Sequence, residues 1–141
     1  MSELEDLLTA YTVLDYVPTQ RNKYSDLIAN QRFAMVSSIT LDSGCQLKSF
    51  PVAYKTWGVL NENCDNALVI CHALSGNSDA EDWWHPLMGP GKAFDHTRFF
   101  IFCGNMLGSP YGSASPLTTN PDTGNPYGPE FPSTSIRDDI R

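Results

Sequence analysis

The sequence predicts an α/β fold in which an antiparallel hairpin is followed by two parallel strands joined through a crossover helix. Two stretches rich in strand-forming residues, 33–40 and 46–57, flank the turn signal Asp42-Ser43-Gly44. Two continuous apolar runs, 67–73 and 98–103, are typical of strands that are covered on both faces. The segment between these runs has a helical pattern that ends at a Gly-Pro-Gly stop, so the two strands are expected to run parallel.

Residues 1–31 are interpreted as an N-terminal extension, helical or partly mobile, and the domain body is placed at residues 32–141. Apolar residues recur at helical spacing from Leu4 to Leu14, which favours a short amphipathic helix in the extension. Pro18 then interrupts the pattern.

A helix is expected between Asp79 and Leu87, before the second apolar run. Residues 104–135 hold five of the ten glycines and six of the ten prolines, so they are predicted to form one long loop. The aromatic residues of this loop favour an ordered conformation. A last helix is expected to begin after Ser135, because Ser135 is a good N-cap and Asp138 lies three residues further on.

The formal net charge of −7, with nine scattered basic residues, argues against nucleic-acid and anionic-membrane partners. The acidic N-terminus resembles no signal peptide, and no apolar run is long enough to span a membrane, so a cytoplasmic protein is expected. The four cysteines lack zinc-site spacing, and no metal site is predicted. Cys71 and Cys103 lie inside apolar runs and are interpreted as buried, reduced thiols.

Residues 71–76 read Cys-His-Ala-Leu-Ser-Gly and directly follow an apolar run. A strand followed by a His-x-x-x-Gly turn is a familiar place for an oxyanion hole, and the backbone N–H of Leu74 is the candidate donor. A Gly-x-Ser-x-Gly segment, which would carry a nucleophile and the second donor, does not occur. Ser75 and Ser113 are the nearest candidates for a nucleophile, and neither lies in such a turn.

Seven short motifs occur in a characteristic order. They are Tyr54-Lys55-Thr56-Trp57-Gly58, Cys71-His72-Ala73-Leu74-Ser75-Gly76, Asp82-Trp83-Trp84, Phe94-Asp95 with Arg98-Phe99-Phe100, Gly108-Ser109-Pro110-Tyr111-Gly112-Ser113, Tyr127-Gly128-Pro129-Glu130-Phe131-Pro132 and Ile136-Arg137-Asp138-Asp139. Together, over residues 32–141, they resemble the N-terminal part of the homoserine O-acetyltransferases, most closely the fungal form.

The resemblance implies the N-terminal half of an α/β-hydrolase fold. The family moves an acetyl group from acetyl-CoA to the hydroxyl of L-homoserine through an acetyl-serine intermediate, as a step of methionine biosynthesis. The resemblance further implies that residues 32–141 are an incomplete domain that lacks the nucleophile strand, the Ser-His-Asp triad and everything after them. The chain alone is therefore expected to be inactive. Acetyl-CoA would be a co-substrate, no cofactor would be bound permanently, and the full-length protein would be a homodimer.

The resemblance also implies roles for individual residues. The backbone N–H of Leu74 is the oxyanion donor. The predicted substrate-binding residues are Ala73, Ser75, Gly76 and Asn105. The residues expected to support the site are His72, Trp83 and Trp84. Two alternatives stay open for these residues: Asn105 is equally compatible with a structural turn, and the two tryptophans could line the pocket instead of the core.

Three other functions remain open on the sequence. A deacetylcephalosporin-type acetyltransferase would use the same chemistry on another alcohol. An α/β-hydrolase esterase would pass the acyl group to water. A non-catalytic short form would use the first half of the fold as a binding module.

Overall fold

The computed structural model describes residues 22–141 and contains a four-stranded mixed sheet. The strands are β1 (Arg32–Thr40), β2 (Gln46–Trp57), β3 (Ala67–Ile70) and β4 (Phe100–Gly104), in the order β1-β2-β4-β3. The predicted antiparallel hairpin (β1 with β2) and the predicted parallel pair (β3 with β4) are confirmed. An antiparallel pairing of β2 with β4, which the sequence did not predict, joins them into one sheet. The helix predicted between Leu4 and Leu14 lies outside the described residues.

Strand β3 is shorter and less covered than predicted. It ends at Ile70, because the ladder with β4 ends where Ile70 faces Cys103. Among the described residues β4 is its only neighbour in the sheet, and Val69 is 65% exposed while Ile70 is buried. Cys103 is buried as expected, but the prediction for Cys71 was wrong: this thiol lies past the end of the strand and is exposed.

The two helices lie near their predicted positions. The first, α1 (Ala80–Trp84), continues as a 3-10 turn at His85–Leu87, so the expected helix is split near Pro86. The second, α2 (Ile136–Ile140), begins with the predicted N-cap. Two further 3-10 turns lie at Ser25–Leu27 and Gly128–Glu130. No helix in residues 22–141 has the length and apolar character needed to cross a bilayer.

Two apolar clusters hold these elements together. The first cluster packs α1 against β3 and β4 and consists of Ile70, Ala80, Met88, Ile101 and Cys103. The second cluster consists of Leu41, Leu47, Phe50 and Ala114. The long loop packs against the second cluster through Leu107, Tyr127 and Phe131. The rings of Tyr127 and Phe131 meet edge to face, with their centroids 5.5 Å apart. The expectation of an ordered loop is therefore confirmed.

Helix α2 is fastened to the turn after β1 through Asp138, which is 3% exposed. Its carboxylate accepts hydrogen bonds from the backbone N–H of Ser135 at 2.8 Å and of Asp42 at 2.9 Å. Burial alone would raise the pKa of Asp138. These hydrogen bonds, together with the Arg141 guanidinium at 3.1 Å, outweigh burial and lower that pKa below its ordinary value of 3.8.

We expect the stability of this fold to fall in acid partly through Asp138. A carboxyl group whose folded-state pKa is lowered stabilises the fold above its ordinary pKa, and the contribution is lost as the pH falls through the folded-state value. Asp138→Asn should therefore lower the melting temperature clearly at pH 7, and the difference from wild type should shrink below about pH 4. Melting curves across this range test the prediction.

Asp122→Asn is the matched control. The Asp122 side chain is 69% exposed, and its Oδ2 lies 3.6 Å from Lys48 Nζ, a long distance for an ion pair at the surface. It should leave the melting temperature nearly unchanged at every pH. A constant offset between Asp138→Asn and wild type from pH 7 to pH 3 would contradict the proposed role of the carboxylate charge.

Candidate functional site

A tight turn at residues 73–76 follows the end of β3. The N–H of Gly76 donates to the carbonyl oxygen of Ala73 at 2.7 Å, so Leu74 and Ser75 are the central residues of a β-turn. Neither central residue has a positive φ, which identifies a type I turn. A side chain at Gly76 would bring its Cβ to 3.1 Å from the Ala73 oxygen and 3.3 Å from His72 Cβ. The turn therefore packs tightly against the residue before it.

His72 fixes the orientation of this turn. The residue is 8% exposed, and its Nε2 accepts a hydrogen bond from the N–H of Met106 at 3.2 Å. Because Nε2 accepts, the ring proton lies on Nδ1, which donates to the Ala73 oxygen at 2.8 Å. Both ring nitrogens are thus engaged with the backbone. In this arrangement His72 holds the turn and has no nitrogen left to act as a general base.

The Leu74 N–H belongs to the same peptide unit as the Ala73 carbonyl. That carbonyl receives two donors, His72 Nδ1 and Gly76 N, so the peptide plane is fixed. The peptide is trans, and the N–H therefore points away from the carbonyl. Within residues 22–141 this N–H has no hydrogen-bond acceptor, and Leu74 is fully exposed. At Leu74 the turn thus presents an oriented backbone donor that no acceptor in the described residues uses.

Asn105 lies just past the end of β4, in a buried polar cluster. It is 3% exposed, and its Nδ2 donates to Gln31 Oε1 at 3.2 Å and to the Tyr111 oxygen at 3.0 Å. Its Oδ1 is buried without a partner among the described residues. Gln31 also donates to the Tyr111 oxygen at 2.9 Å, so the last residue of the expected extension contributes to this cluster. Among the polar side-chain atoms of Asn105, Oδ1 therefore has unused hydrogen-bonding capacity, and it is closed to solvent in this conformation.

A mostly apolar cavity of about 380 Å³ lies between the sheet and α2. Its walls come from all four strands, from the loop after β4 and from α2. Among the lining residues are Val69, Cys71, Asn105, Leu107, Ile136 and Asp139. The turn at residues 73–76 does not line it, and neither tryptophan does.

The two tryptophans pack in the first cluster. Trp84 stacks on Phe94 with ring centroids 5.1 Å apart, and Trp83 contacts Trp84 at 4.6 Å. Both rings lie against the cluster that includes Ile70, at the end of β3. They brace the strand from which the turn begins.

The two serines considered as nucleophiles lie in different surroundings. Ser113 is 2% exposed, and its hydroxyl accepts from the Ala53 N–H at 3.0 Å and donates to the Asn105 oxygen at 2.6 Å. This hydroxyl is committed to the backbone. Ser75 is exposed in the turn. In the described part of the chain neither hydroxyl bonds a histidine, and no group of three or more His, Cys, Asp or Glu side chains could hold a metal ion.

Comparison with known proteins identifies the family. No protein-family model matches the sequence. A homoserine O-acetyltransferase from Cryptococcus neoformans var. grubii is 62% identical over 120 residues, which are 85% of this chain and 22% of the relative. Another, from Ascobolus immersus, is 59% identical over 126 residues, or 89% of this chain and 24% of the relative.

By sequence, the chain belongs to the homoserine O-acetyltransferase family. It spans about a quarter of the length of the curated homoserine O-acetyltransferases that it matches.

Solved structures confirm the α/β-hydrolase fold. Esterase E22 superimposes with a TM-score of 0.70 at 33% identity, over 79% of this chain and 34% of that protein. A homoserine O-acetyltransferase from Bacillus anthracis superimposes with a TM-score of 0.67 at 30% identity, over 77% of this chain and 33% of that protein.

Sequence reasoning missed two residues that the structure connects to the site. Gln31 contacts Asn105 although it was assigned to the extension. Asp139 accepts a hydrogen bond from the Leu107 N–H at 2.7 Å. The resemblance to the family marked Asp139 within a motif, but no spacing rule relates it to a turn near residue 74.

Proposed function

We propose that this chain is part of an acyltransferase that moves an acetyl group from acetyl-CoA to the hydroxyl of L-homoserine, a reaction that feeds methionine biosynthesis. The observation that carries the proposal is the Leu74 peptide, whose carbonyl is held by two donors while its N–H stays unpaired. The identity of 56–62% to several curated fungal homoserine O-acetyltransferases supports the acceptor assignment.

Acyl transfer needs a hydrogen-bond donor directed at the carbonyl oxygen of the acyl group. When a serine attacks the thioester carbonyl of acetyl-CoA, negative charge develops on the carbonyl oxygen, and a preoriented N–H stabilises it. The Leu74 N–H would do so without reorganisation, because His72 and Gly76 already fix its peptide plane. Collapse of the intermediate breaks the C–S bond, and CoA leaves with the proton that the serine hydroxyl lost, so acetyl-serine remains. The homoserine hydroxyl then attacks this ester at the same oxyanion site. Collapse of the second intermediate breaks the bond to the serine oxygen, which takes the proton of the homoserine hydroxyl, and O-acetylhomoserine leaves.

The remaining roles follow from this placement. Ala73, Ser75 and Gly76 form the turn that would border the acetyl group. Asn105 would contribute its unpaired Oδ1 as an acceptor for a donor group of the substrate.

We also propose acetyl-CoA as co-substrate with no resident cofactor, a cytoplasmic location and a homodimeric full-length protein. Since the sequence has no Gly-x-Ser-x-Gly segment, the chain alone should transfer no acetyl group.

An esterase is the second candidate, because esterase E22 is 33% identical and shares the fold over 79% of this chain. In that reaction water would take the acyl group in place of homoserine.

An acceptor-dependence assay separates these functions. A full-length polypeptide that carries this segment is supplied with acetyl-CoA, with and without L-homoserine, and both free CoA and O-acetylhomoserine are measured. We expect CoA release to depend on homoserine and to match the acetylated product in amount. CoA release that is indifferent to homoserine would indicate an esterase. Acetylation of deacetylcephalosporin but not of homoserine would indicate the other transferase, and no turnover with any acceptor would favour a binding module.

A further inference from the structure

Two consecutive backbone amides after β4 donate to side chains from two different parts of the chain. The Met106 N–H donates to His72 Nε2 at 3.2 Å. The next amide, that of Leu107, donates to Asp139 Oδ1 at 2.7 Å. Residues 106–107 therefore form a bridge between α2 and the histidine that holds the turn.

We propose that Asp139 is a positioning residue for the Leu74 amide, acting through residues 106–107 and His72. The connection is continuous: Asp139 fixes the Leu107 amide, the adjacent Met106 amide fixes the His72 ring, and the ring fixes the Ala73 carbonyl. This inference rests on the proposed function, because positioning matters only where the Leu74 N–H meets a reacting oxygen.

Asp139 is distinct from its neighbour in the same helix. The carboxylate of Asp138 accepts from the N-cap residue Ser135 and from Asp42 in the turn after β1, so these hydrogen bonds anchor α2. Asp139 instead reaches the loop after β4 with a short, charge-assisted hydrogen bond. Asp139 lies at the surface, where partial desolvation and the negative charge of Asp138 raise the pKa of its carboxyl, while the hydrogen bond from the Leu107 amide acts in the opposite direction.

Loss of this carboxylate is expected to loosen the chain of contacts without removing any group that touches substrate. The Met106 amide would then hold His72 less firmly, and the 73–74 peptide could rotate. A misaligned donor weakens stabilisation of the transition state but not binding of the ground state. The expected signature is therefore a lower kcat with an unchanged KM for acetyl-CoA.

The test compares three variants of a full-length polypeptide that carries this segment. Asp139→Ala should lower kcat by about tenfold to a hundredfold and leave KM for acetyl-CoA unchanged. Asp139→Asn keeps an oxygen that can accept from the Leu107 amide, so it should retain most of the activity. Arg137→Ala is the control for α2, since its side chain is 75% exposed and contacts Asp42 only at 3.8 Å; its kcat should equal that of wild type.

A second readout does not depend on turnover. In wild type the imidazole ¹⁵N signals of His72 should show a protonated Nδ1 and an unprotonated Nε2. Asp139→Ala should move both signals toward a mixture of tautomers, and Arg137→Ala should leave them in place. Unchanged His72 signals and kcat in Asp139→Ala, or equal losses in Asp139→Ala and Arg137→Ala, would overturn the proposal. If wild type transfers no acetyl group, the proposed function fails, and the His72 signals alone decide whether Asp139 orients the ring.

Discussion

Replacement of Leu74 by proline is expected to lower the kcat of acetyl transfer by about 10²–10³-fold, equivalent to about 3–4 kcal/mol, with little change in KM. Proline has no N–H, so the substitution removes the proposed oxyanion donor. It should not disturb the turn, because Leu74 is the first central residue of a type I turn, where proline is favoured. The measurement is steady-state kinetics on a full-length polypeptide that carries this segment.

Leu74→Ala is the matched control. It keeps the backbone N–H and removes only a side chain that is fully exposed, so kcat should stay within about twofold of wild type. Melting curves of both variants establish that each is folded. Full activity in a folded Leu74→Pro variant would show that this amide stabilises no charge in the rate-limiting step. Equal losses in the two variants would assign the effect to the side chain.

The largest effect on stability is expected at Gly58, directly after β2. Its φ is +78°, and a Cβ at this position would lie 2.2 Å from the Phe99 carbonyl oxygen and 2.5 Å from that of His96. Both obstacles are backbone atoms of the segment that leads into β4, so relief requires a shift of that segment. Gly58→Ala should therefore lower the free energy of unfolding by about 3 kcal/mol or more, as the sum of backbone strain and steric overlap. Urea unfolding measures the loss.

Gly124→Ala separates the two contributions. Gly124 has a similar φ of +71°, but no atom lies within 4 Å of a Cβ placed there. Its replacement should cost only the strain of a positive φ, about 1 kcal/mol. Equal losses at the two glycines would contradict the close approach of β2 and the residues before β4.

Local sequence signals predicted much of this fold because they depend on neighbouring residues. The turn signal at residues 42–44 and the flanking strand formers gave the hairpin, and Ser135 with Asp138 gave the start of α2. The pairing of strands that are distant in the sequence was harder to predict. The contact of β2 with β4 and the end of β3 at Ile70 depend on tertiary register, which no local pattern encodes. The exposure of Val69 and Cys71 follows from that register.

The candidate site likewise has one part that local sequence signals predicted and another that depends on long-range contacts. The turn at residues 73–76 was located from a strand followed by His-x-x-x-Gly, and its geometry suits the proposed donor. The groups that support it come from far along the chain. Met106 lies 34 residues from His72, Asp139 lies 32 residues from Leu107, and Gln31 lies 74 residues from Asn105. Such contacts arise only when strands and loops are assembled in space.

The most direct test of the central claim is a crystal structure of a full-length polypeptide that carries this segment, with a tetrahedral acyl mimic bound to its nucleophile. The Leu74 nitrogen should lie about 3 Å from the oxygen that represents the oxyanion, with the Ala73 carbonyl still held by His72 and Gly76. A Leu74 N–H that points away from that oxygen, or that donates to a protein acceptor, would contradict the assignment.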